Sequence, residues 1–270
     1  MKELLKRVAV AIVAIPLLVY LILQGGWYFF SLMTIIIIGG QVEFYNLARQ
    51  KESLSQLAPG ILLTVVMLIA VQTGVSNLIW AVAFATLVLI FGYEMFHNKS
   101  SAILNVSTTL AGVIYPGVFL AALLFLRNNA QQLGVSSAGG FVLTIFVSIW
   151  VCDTFAYFVG KSIGKHRLFE RVSPKKSIEG AIGGLVGSIA VFLAVYYFEW
   201  YQISLELAVI SGVVVGLFGQ FGDLVESWFK RDAAIKDSSH LLPGHGGMLD
   251  RFDSLIFVSP IFMIIYLFWS

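Results

Sequence analysis

Charge is scarce in this sequence. Asp, Glu, Lys and Arg make up 12% of its 270 residues, where a soluble domain averages about a quarter. Apolar residues fill 59% of positions, and the mean hydropathy is +0.89. A soluble globular core of this composition is excluded, and the chain reads as a polytopic integral membrane protein. Cysteine is almost absent. Cys152 stands alone, so no intrachain disulfide can form, and it reads as a small buried apolar side chain. Internal repeats, low-complexity tracts and a separate soluble domain are also missing. The net charge of +2 says little, because the placement of the charges matters more. No nucleic-acid partner is expected; membrane lipids are.

What the chain does have is apolar runs near the length that crosses a bilayer, roughly 17–25 residues. Nine are predicted, at about 8–24, 27–47, 59–75, 77–92, 103–126, 139–160, 180–198, 204–222 and 253–269, which makes the fold all-α. Aromatic residues at 14% suit the Trp and Tyr belts of bilayer interfaces. Lys2, Lys6 and Arg7 ahead of the first run imitate a signal peptide. Only Gln24-Gly25-Gly26 follows, with no A-x-A-like cleavage site, so this segment is expected to remain a span. With the N-terminus in the cytoplasm, every one of the 17 Lys and Arg residues except Arg127 falls in a cytoplasmic segment, as the positive-inside rule requires. The C-terminus is then external. Two large loops, 161–179 and 223–252, lie on the cytoplasmic face. Residues 1–126 read as a transmembrane scaffold, with Glu43 as their exceptional ionisable group, and 127–270 as the catalytic region.

Ten charged residues crowd into 223–253, between two strongly apolar segments. Such density at a membrane edge is costly unless something polar binds there. Asp223 and Glu226 are three apart, as are Asp250 and Asp253, which puts each pair on one face of a helix. The eighth and ninth spans are antiparallel, so their cytoplasmic ends can meet. Two carboxylates from two helices, completed by phosphate oxygens and water, make a typical Mg²⁺ site. Asp223, Asp250 and Asp253 are the candidate metal ligands; helix capping and interfacial solvation are the plainer alternative. Lys230, Arg231, Lys236 and Arg251 surround these acids and can neutralise phosphate charge. They could also simply attract anionic lipid headgroups, at about 1 kcal/mol each. Pro243-Gly244-His245-Gly246-Gly247 allows backbone shapes closed to other residues, and the N–H groups around Gly246 and Gly247 could form a phosphate nest. His245 reads as a phosphate hydrogen-bond donor. No cysteine accompanies His240 and His245, and the neighbouring acids suit a harder cation than zinc.

The other loop adds a second set. Asp153 lies at membrane depth, where an acid is a functional candidate by default. Ser173, Lys175, Lys176 and Ser177 offer hydroxyl and ammonium donors to a substrate phosphate just before a span. Ser177-Ile178-Glu179-Gly180 also reads as an ordinary helix start, so Ser177 and Glu179 carry both meanings.

These residues together resemble a known family. Ser227-Trp-Phe-Lys230-Arg231, then Lys236-Asp237-Ser-Ser239, then Leu242-Pro243-Gly-His245-Gly246-Gly247-Met248-Leu-Asp250-Arg251-Phe252-Asp253 is similar to the signature of phosphatidate cytidylyltransferases, the CDP-diacylglycerol synthases. Asp153-x-x-Ala156-Tyr157-x-x-Gly160 and Ser173-Pro-Lys-Lys-Ser-x-Glu179-Gly180 resemble further segments of that family. The likeness is sharp over about 150–255 and only compositional before it. It implies transfer of CMP from CTP to phosphatidate at the cytoplasmic face of the inner membrane, a requirement for Mg²⁺, and a homodimer. It also brings Ser227 into the substrate-contacting set. Without it, the residues indicate a metal-dependent phosphoryl- or nucleotidyltransferase acting on a lipid. Two rival readings are a CTP-dependent polyprenol or dolichol kinase and an ion-coupled transporter. Transport predicts charge near the bilayer midplane in paired repeats, whereas here it gathers at one face.

Overall fold

The computed structural model describes residues 2–97, 100–235, 239 and 246–269. Its helices are α1 (Lys2–Gln24), α2 (Gly26–Arg49), α3 (Leu57–Thr73), α4 (Ser76–His97), α5 (Ala102–Gly112), α6 (Phe119–Asn129), α7 (Ala138–Ile163), α8 (Ile178–Tyr197), α9 (Leu205–Val214), α10 (Gln220–Asp232) and α11 (Leu249–Phe268). A wide π turn over Val113–Val118 runs α5 into α6, and another over Val215–Gly219 runs α9 into α10. Pro116 sits in the first of these. Proline has no N–H to donate, and the helix widens where that donor is lost. Among the described residues, seven helical rods are long and apolar enough to cross a membrane. Leu57–Thr73 and the apolar stretch Ile12–Gln24 are shorter. Each predicted run is therefore helical, and the chain is an all-α, polytopic membrane protein.

The structure departs from the sequence reading at both large polar loops. Residues 223–232, placed in the loop beyond the eighth predicted run although Asp223 and Glu226 have helical spacing, continue that run as α10. Asp223, Glu226, Ser227 and Lys230 stand three or four apart on one face, and Lys230 Nζ pairs with Glu226 at 2.5 Å. Phe221, Leu224 and Trp228 supply the apolar remainder, so the segment has an amphipathic reason to stay helical. The loop 161–179 is also not plain loop. It holds an antiparallel hairpin of β1 (Arg167–Phe169) and β2 (Ser173–Ser177), in register Arg167 to Ser177 and Phe169 to Ser173.

Small residues set how closely the helices approach. A Cβ on Gly180 would lie 2.7 Å from the Ala156 carbonyl oxygen, and one on Gly184 would lie 2.9 Å from Cys152 Sγ. Glycine on α8 thus lets its backbone rest directly on α7, the usual way membrane helices gain packing without a hydrophobic driving force. Ser188 Oγ adds a hydrogen bond to the Gly212 carbonyl at 2.8 Å. Phe141, Phe192 and Phe262 are fully buried and bring α7, α8 and α11 to one core, with ring centroids 6.0 and 5.4 Å from Phe141.

One outlier of the charge distribution also finds its reason. Arg127 donates from Nε to the Ile22 carbonyl and from Nη2 to the Leu23 carbonyl, both at 2.8 Å. These are last-turn carbonyls of α1, which lack intrahelical donors. Arg127 is a helix cap at the end of the bundle remote from the two loops. At the loop end, Lys51 Nζ reaches Asp232 Oδ1 at 3.3 Å, tying the C-terminus of α2 to that of α10.

Candidate active site

The acids meet because two helix backbones touch. Gly222 on α10 has no side chain, and a Cβ there would collide with the Asp253 carbonyl of α11. That close approach brings Asp223, Asp250 and Asp253 around one cavity of about 190 Å³, and α7 adds Asp153 to its wall. Arg251 lines the same space. Among the described residues, Asp153 and Asp253 have no ion-pair partner; the only hydrogen bond drawn to Asp253 comes from the Ser254 amide at 2.6 Å. Four carboxylates facing one small volume, two of them without a cation, call for positive charge.

A second cavity of about 500 Å³ opens beside the first and shares Asp153 and Asp223 with it. Its character is opposite. Lys161 of α7, Arg167 of β1 and Lys175 and Lys176 of β2 line it, with Tyr157, Gly160 and Ser177. The hairpin places these cations, and the Lys176 ammonium reaches Asp223 Oδ2 at 2.6 Å, the bridge between the two cavities. Ser177 is also the N-cap of α8, its Oγ accepting from the Gly180 amide at 3.1 Å. Glu179 in the first turn of α8 turns back to the loop. It accepts from the Lys165 amide at 3.1 Å and meets His166 Nδ1 at 2.6 Å. Its carboxylate anchors the hairpin to α8, and it lines neither cavity.

The signature helix ends are organised by an ion triad built around the buried Glu226. Lys230 Nζ lies 2.5 Å from Glu226 and 2.7 Å from Asp250 Oδ1. The second Asp250 oxygen accepts from the Gly247 amide at 2.8 Å. Gly246 has φ +82°, the left-handed region, and a Cβ on it would stand 2.8 Å from Asp250 Oδ2. Only glycine fits that turn without strain. Lys230 therefore fixes Asp250 and lines neither cavity, whereas the sequence places it among the phosphate-neutralising bases. Arg231 is exposed and lines neither, and Ser173 and Ser227 also stand outside the walls; Ser227 Oγ donates to Asp223 Oδ1 at 3.3 Å. His245 and Lys236 lie outside the described residues.

Some participants carry no individual role in the sequence reading, Lys161 and Arg167 among them. Tyr157 and Gln220 line the basic cavity. Glu43, which stood out as the ionisable exception of the N-terminal half, is 2% exposed. It accepts from the Met248 and Leu249 amides at 2.8 and 2.9 Å, and from the Ser239 hydroxyl. A carboxylate from α2 thus caps the N-terminus of α11, the helix that carries Asp250 and Asp253, where it also meets the positive end of the helix dipole. Its isolation among apolar residues was a signal, but nothing in the sequence pairs it with positions two hundred residues away.

This donor set suits a hard divalent cation. Among the described residues no three such ligands already converge on one point. Mg²⁺ does not need them to, because it is held by one or two carboxylates with substrate phosphate and water completing the shell. An acidic cavity joined to a basic one is the pairing that a metal-bound polyphosphate requires.

Comparisons with known proteins show the family. Residues 5–269 match the model of the cytidylyltransferase family. The phosphatidate cytidylyltransferase of Synechocystis sp. is 34% identical over 281 residues, spanning 95% of this chain and 94% of that protein. The phosphatidate cytidylyltransferase of Staphylococcus haemolyticus is 31% identical over 264 residues, 96% and 97% of the two chains. That of Staphylococcus aureus is 34% identical over 263 residues, with the same coverage. The likeness takes in the N-terminal helices as well as both cavities, and the chain belongs to the cytidylyltransferase family.

Proposed function

We propose that this protein transfers CMP from CTP to phosphatidate, giving CDP-diacylglycerol and pyrophosphate. The observation that carries the reading is the pair of joined cavities, one acidic and one basic, sharing Asp153 and Asp223. A phosphate oxygen of phosphatidate attacks the α-phosphorus of CTP, a new P–O bond forms, and the bond to pyrophosphate breaks. The lipid phosphate is already an anion, so no protein nucleophile is needed. Lys175, Lys176 and Arg167 offset phosphate charge, with Arg251 on the acidic side, and Lys230 holds Asp250 in place. Asp223 and Asp250 are the principal Mg²⁺ ligands, with Asp253 and Asp153 beside them. When bound, the ion supplies Lewis-acid stabilisation of phosphate charge. Gly246 and Gly247 shape the turn that orients Asp250. Ser177 contacts substrate from the wall of the basic cavity, and Ser173, Glu179 and Ser227 support it from outside the walls; the signature pattern alone assigns His245 to phosphate hydrogen bonding and Lys236 to substrate binding.

The topology follows from the charge distribution: nine spans, a cytoplasmic N-terminus and an active site facing the cytoplasm of the inner membrane. A homodimer is the assembly the family likeness supports. Both rival readings lack support of this kind. A lipid kinase would move the γ-phosphate to an alcohol, and a transporter would carry its charges near the midplane. The deciding experiment supplies purified protein with CTP labelled in its α- or γ-phosphate, phosphatidate, and Mg²⁺ or EDTA. The α-label should enter the lipid and the γ-label should leave as pyrophosphate, with both lost in EDTA. Entry of the γ-label into lipid would overturn the assignment.

A further inference from the structure

The basic cavity does not end at its charged wall. Ala181, Gln220 and Leu168 also line an apolar groove of about 270 Å³ between α8 and the α9–α10 rod. No Asp, Glu, Lys or Arg lines this groove; Ile182, Leu185, Leu217 and Phe221 do. The one amide at its mouth is already spent, because Gln220 Nε2 donates to the Ala181 carbonyl at 3.0 Å and the Gly216 carbonyl at 2.6 Å. From Ile178 to Leu185 the groove follows α8 for about 10 Å. Its deep end is closed where Gly216 lies against Leu185; a Cβ on Gly216 would be 2.8 Å from Leu185 Cα. Leu168 on β1 stands at the junction. It lines the basic cavity, this groove and a further apolar pocket beside Phe221 and Leu224.

We propose that this groove seats the proximal part of one acyl chain of the lipid phosphate, with Leu168 marking the boundary between headgroup and chain. The inference rests on the cytidylyltransfer reading and deepens it. An occupant that fits must carry an anionic head and an alkyl tail on one molecule. The charges end at Lys175, Lys176 and Arg167, and the uncharged groove begins at residues shared with that same cavity. A nucleotide has the anion but no tail, and a neutral bilayer lipid has the tail but no anion for the lysines. The groove opens on the outer apolar surface of the helices, where Ile182 is 57% and Leu217 51% exposed, which leaves a chain room to enter sideways from a surrounding bilayer.

The test compares dioleoyl phosphatidate with dibutyryl phosphatidate, whose chains are too short to fill the groove. Ile182→Trp and Leu217→Trp fill it from exposed positions without touching the basic cavity. Val88→Trp, on the exposed face of α4 at 72%, controls for a tryptophan added to any lipid-facing surface. The KM for the dioleoyl substrate should rise roughly tenfold in the two groove variants, the scale of withdrawing about two methylenes from an apolar seat. The KM for CTP, and kcat/KM for the dibutyryl substrate, should stay within about twofold. A second measurement reads occupancy directly. Phosphatidate with a diazirine in its acyl chain should label peptides of α8 and α9–α10, and unlabelled phosphatidate, but not diacylglycerol, should compete. Equal effects on both substrates, no effect on either, or labelling that diacylglycerol displaces equally well would overturn the proposal. Failure of the unaltered protein to make CDP-lipid from either substrate would instead remove the cytidylyltransfer reading beneath it.

Discussion

At the scale of single residues, the acids around the small cavity differ in what already holds them. Asp223 is bridged by Lys176 and Asp250 by Lys230. Among the described residues, Asp253 has only the Ser254 amide. Replacing Asp223 or Asp250 by Asn keeps the volume and removes a hard anionic oxygen, which Mg²⁺ needs to offset its dehydration. We expect each change to lower kcat by roughly 100-fold or more, measured as initial rates across an Mg²⁺ titration. Asp253→Asn should cost less, and Glu199→Gln, in the connection between α8 and α9, should cost nothing. Near-normal Mg²⁺-dependent turnover in both Asp223→Asn and Asp250→Asn would remove these residues from the metal site. Much of this set could be read from the sequence, because carboxylates three apart at two helix ends announce a shared face. What could not be read is which bases serve the substrate. Lys230 and Lys176 look alike in sequence, yet one is enclosed by two acids and the other lines the basic cavity.

At the scale of elements, glycine and capping decide the geometry. Gly222→Ala should force α10 away from α11, since the new Cβ meets the Asp253 carbonyl, a backbone atom that cannot rotate aside. The expected result is a lower melting temperature in detergent together with a loss of activity larger than Gly219→Ala causes. Gly219 faces only Ser254 and Val258 side-chain atoms, at 3.7 Å and beyond. Equal behaviour of the two variants would mean that the backbone contact does not set the site. Glu43→Ala should remove the cap of α11 at a cost of about 1 kcal/mol, typical of a lost N-cap. Thermal unfolding would measure that cost, and Glu43→Gln, which keeps an acceptor, should recover part of it. The helices themselves were visible as apolar runs. The hairpin of 167–177 was not, because two strands of three and five residues carry too short an alternation to stand out from a basic loop. The extension of α10 was legible only in part: the spacing of Asp223 and Glu226 marks a helical face, but the apolar run stops at 222 and composition alone does not separate a charged amphipathic turn from a polar loop.

At the scale of the whole molecule, the basic residues predict which end of the bundle faces the cytoplasm. Single cysteines at Ser162 and at Gln202, in a Cys152→Ala background, test it. Ser162 closes α7 near the basic cavity, and Gln202 joins α8 to α9 at the other end. In intact cells an impermeant thiol reagent should label the cysteine at 202 and leave that at 162 until the membrane is opened. The reverse pattern would invert the topology.

The cap formed by Glu43 also bears on what kind of machine this can be. At the loop end, α2 holds the start of α11 through two hydrogen bonds, from the Met248 and Leu249 amides to Glu43. At the opposite end, Gly139 on α7 sits so near α1 that a Cβ would stand 3.2 Å from Leu23 Cα. The early and late helices are thus pinned together near both faces, like a truss braced at top and bottom. A protein that moves cargo by rocking one bundle against another needs a free pivot between them. Here these two joints are buried, and rocking would cost the cap of the helix that carries Asp250. The frame is built to stay still while lipid and nucleotide come to it.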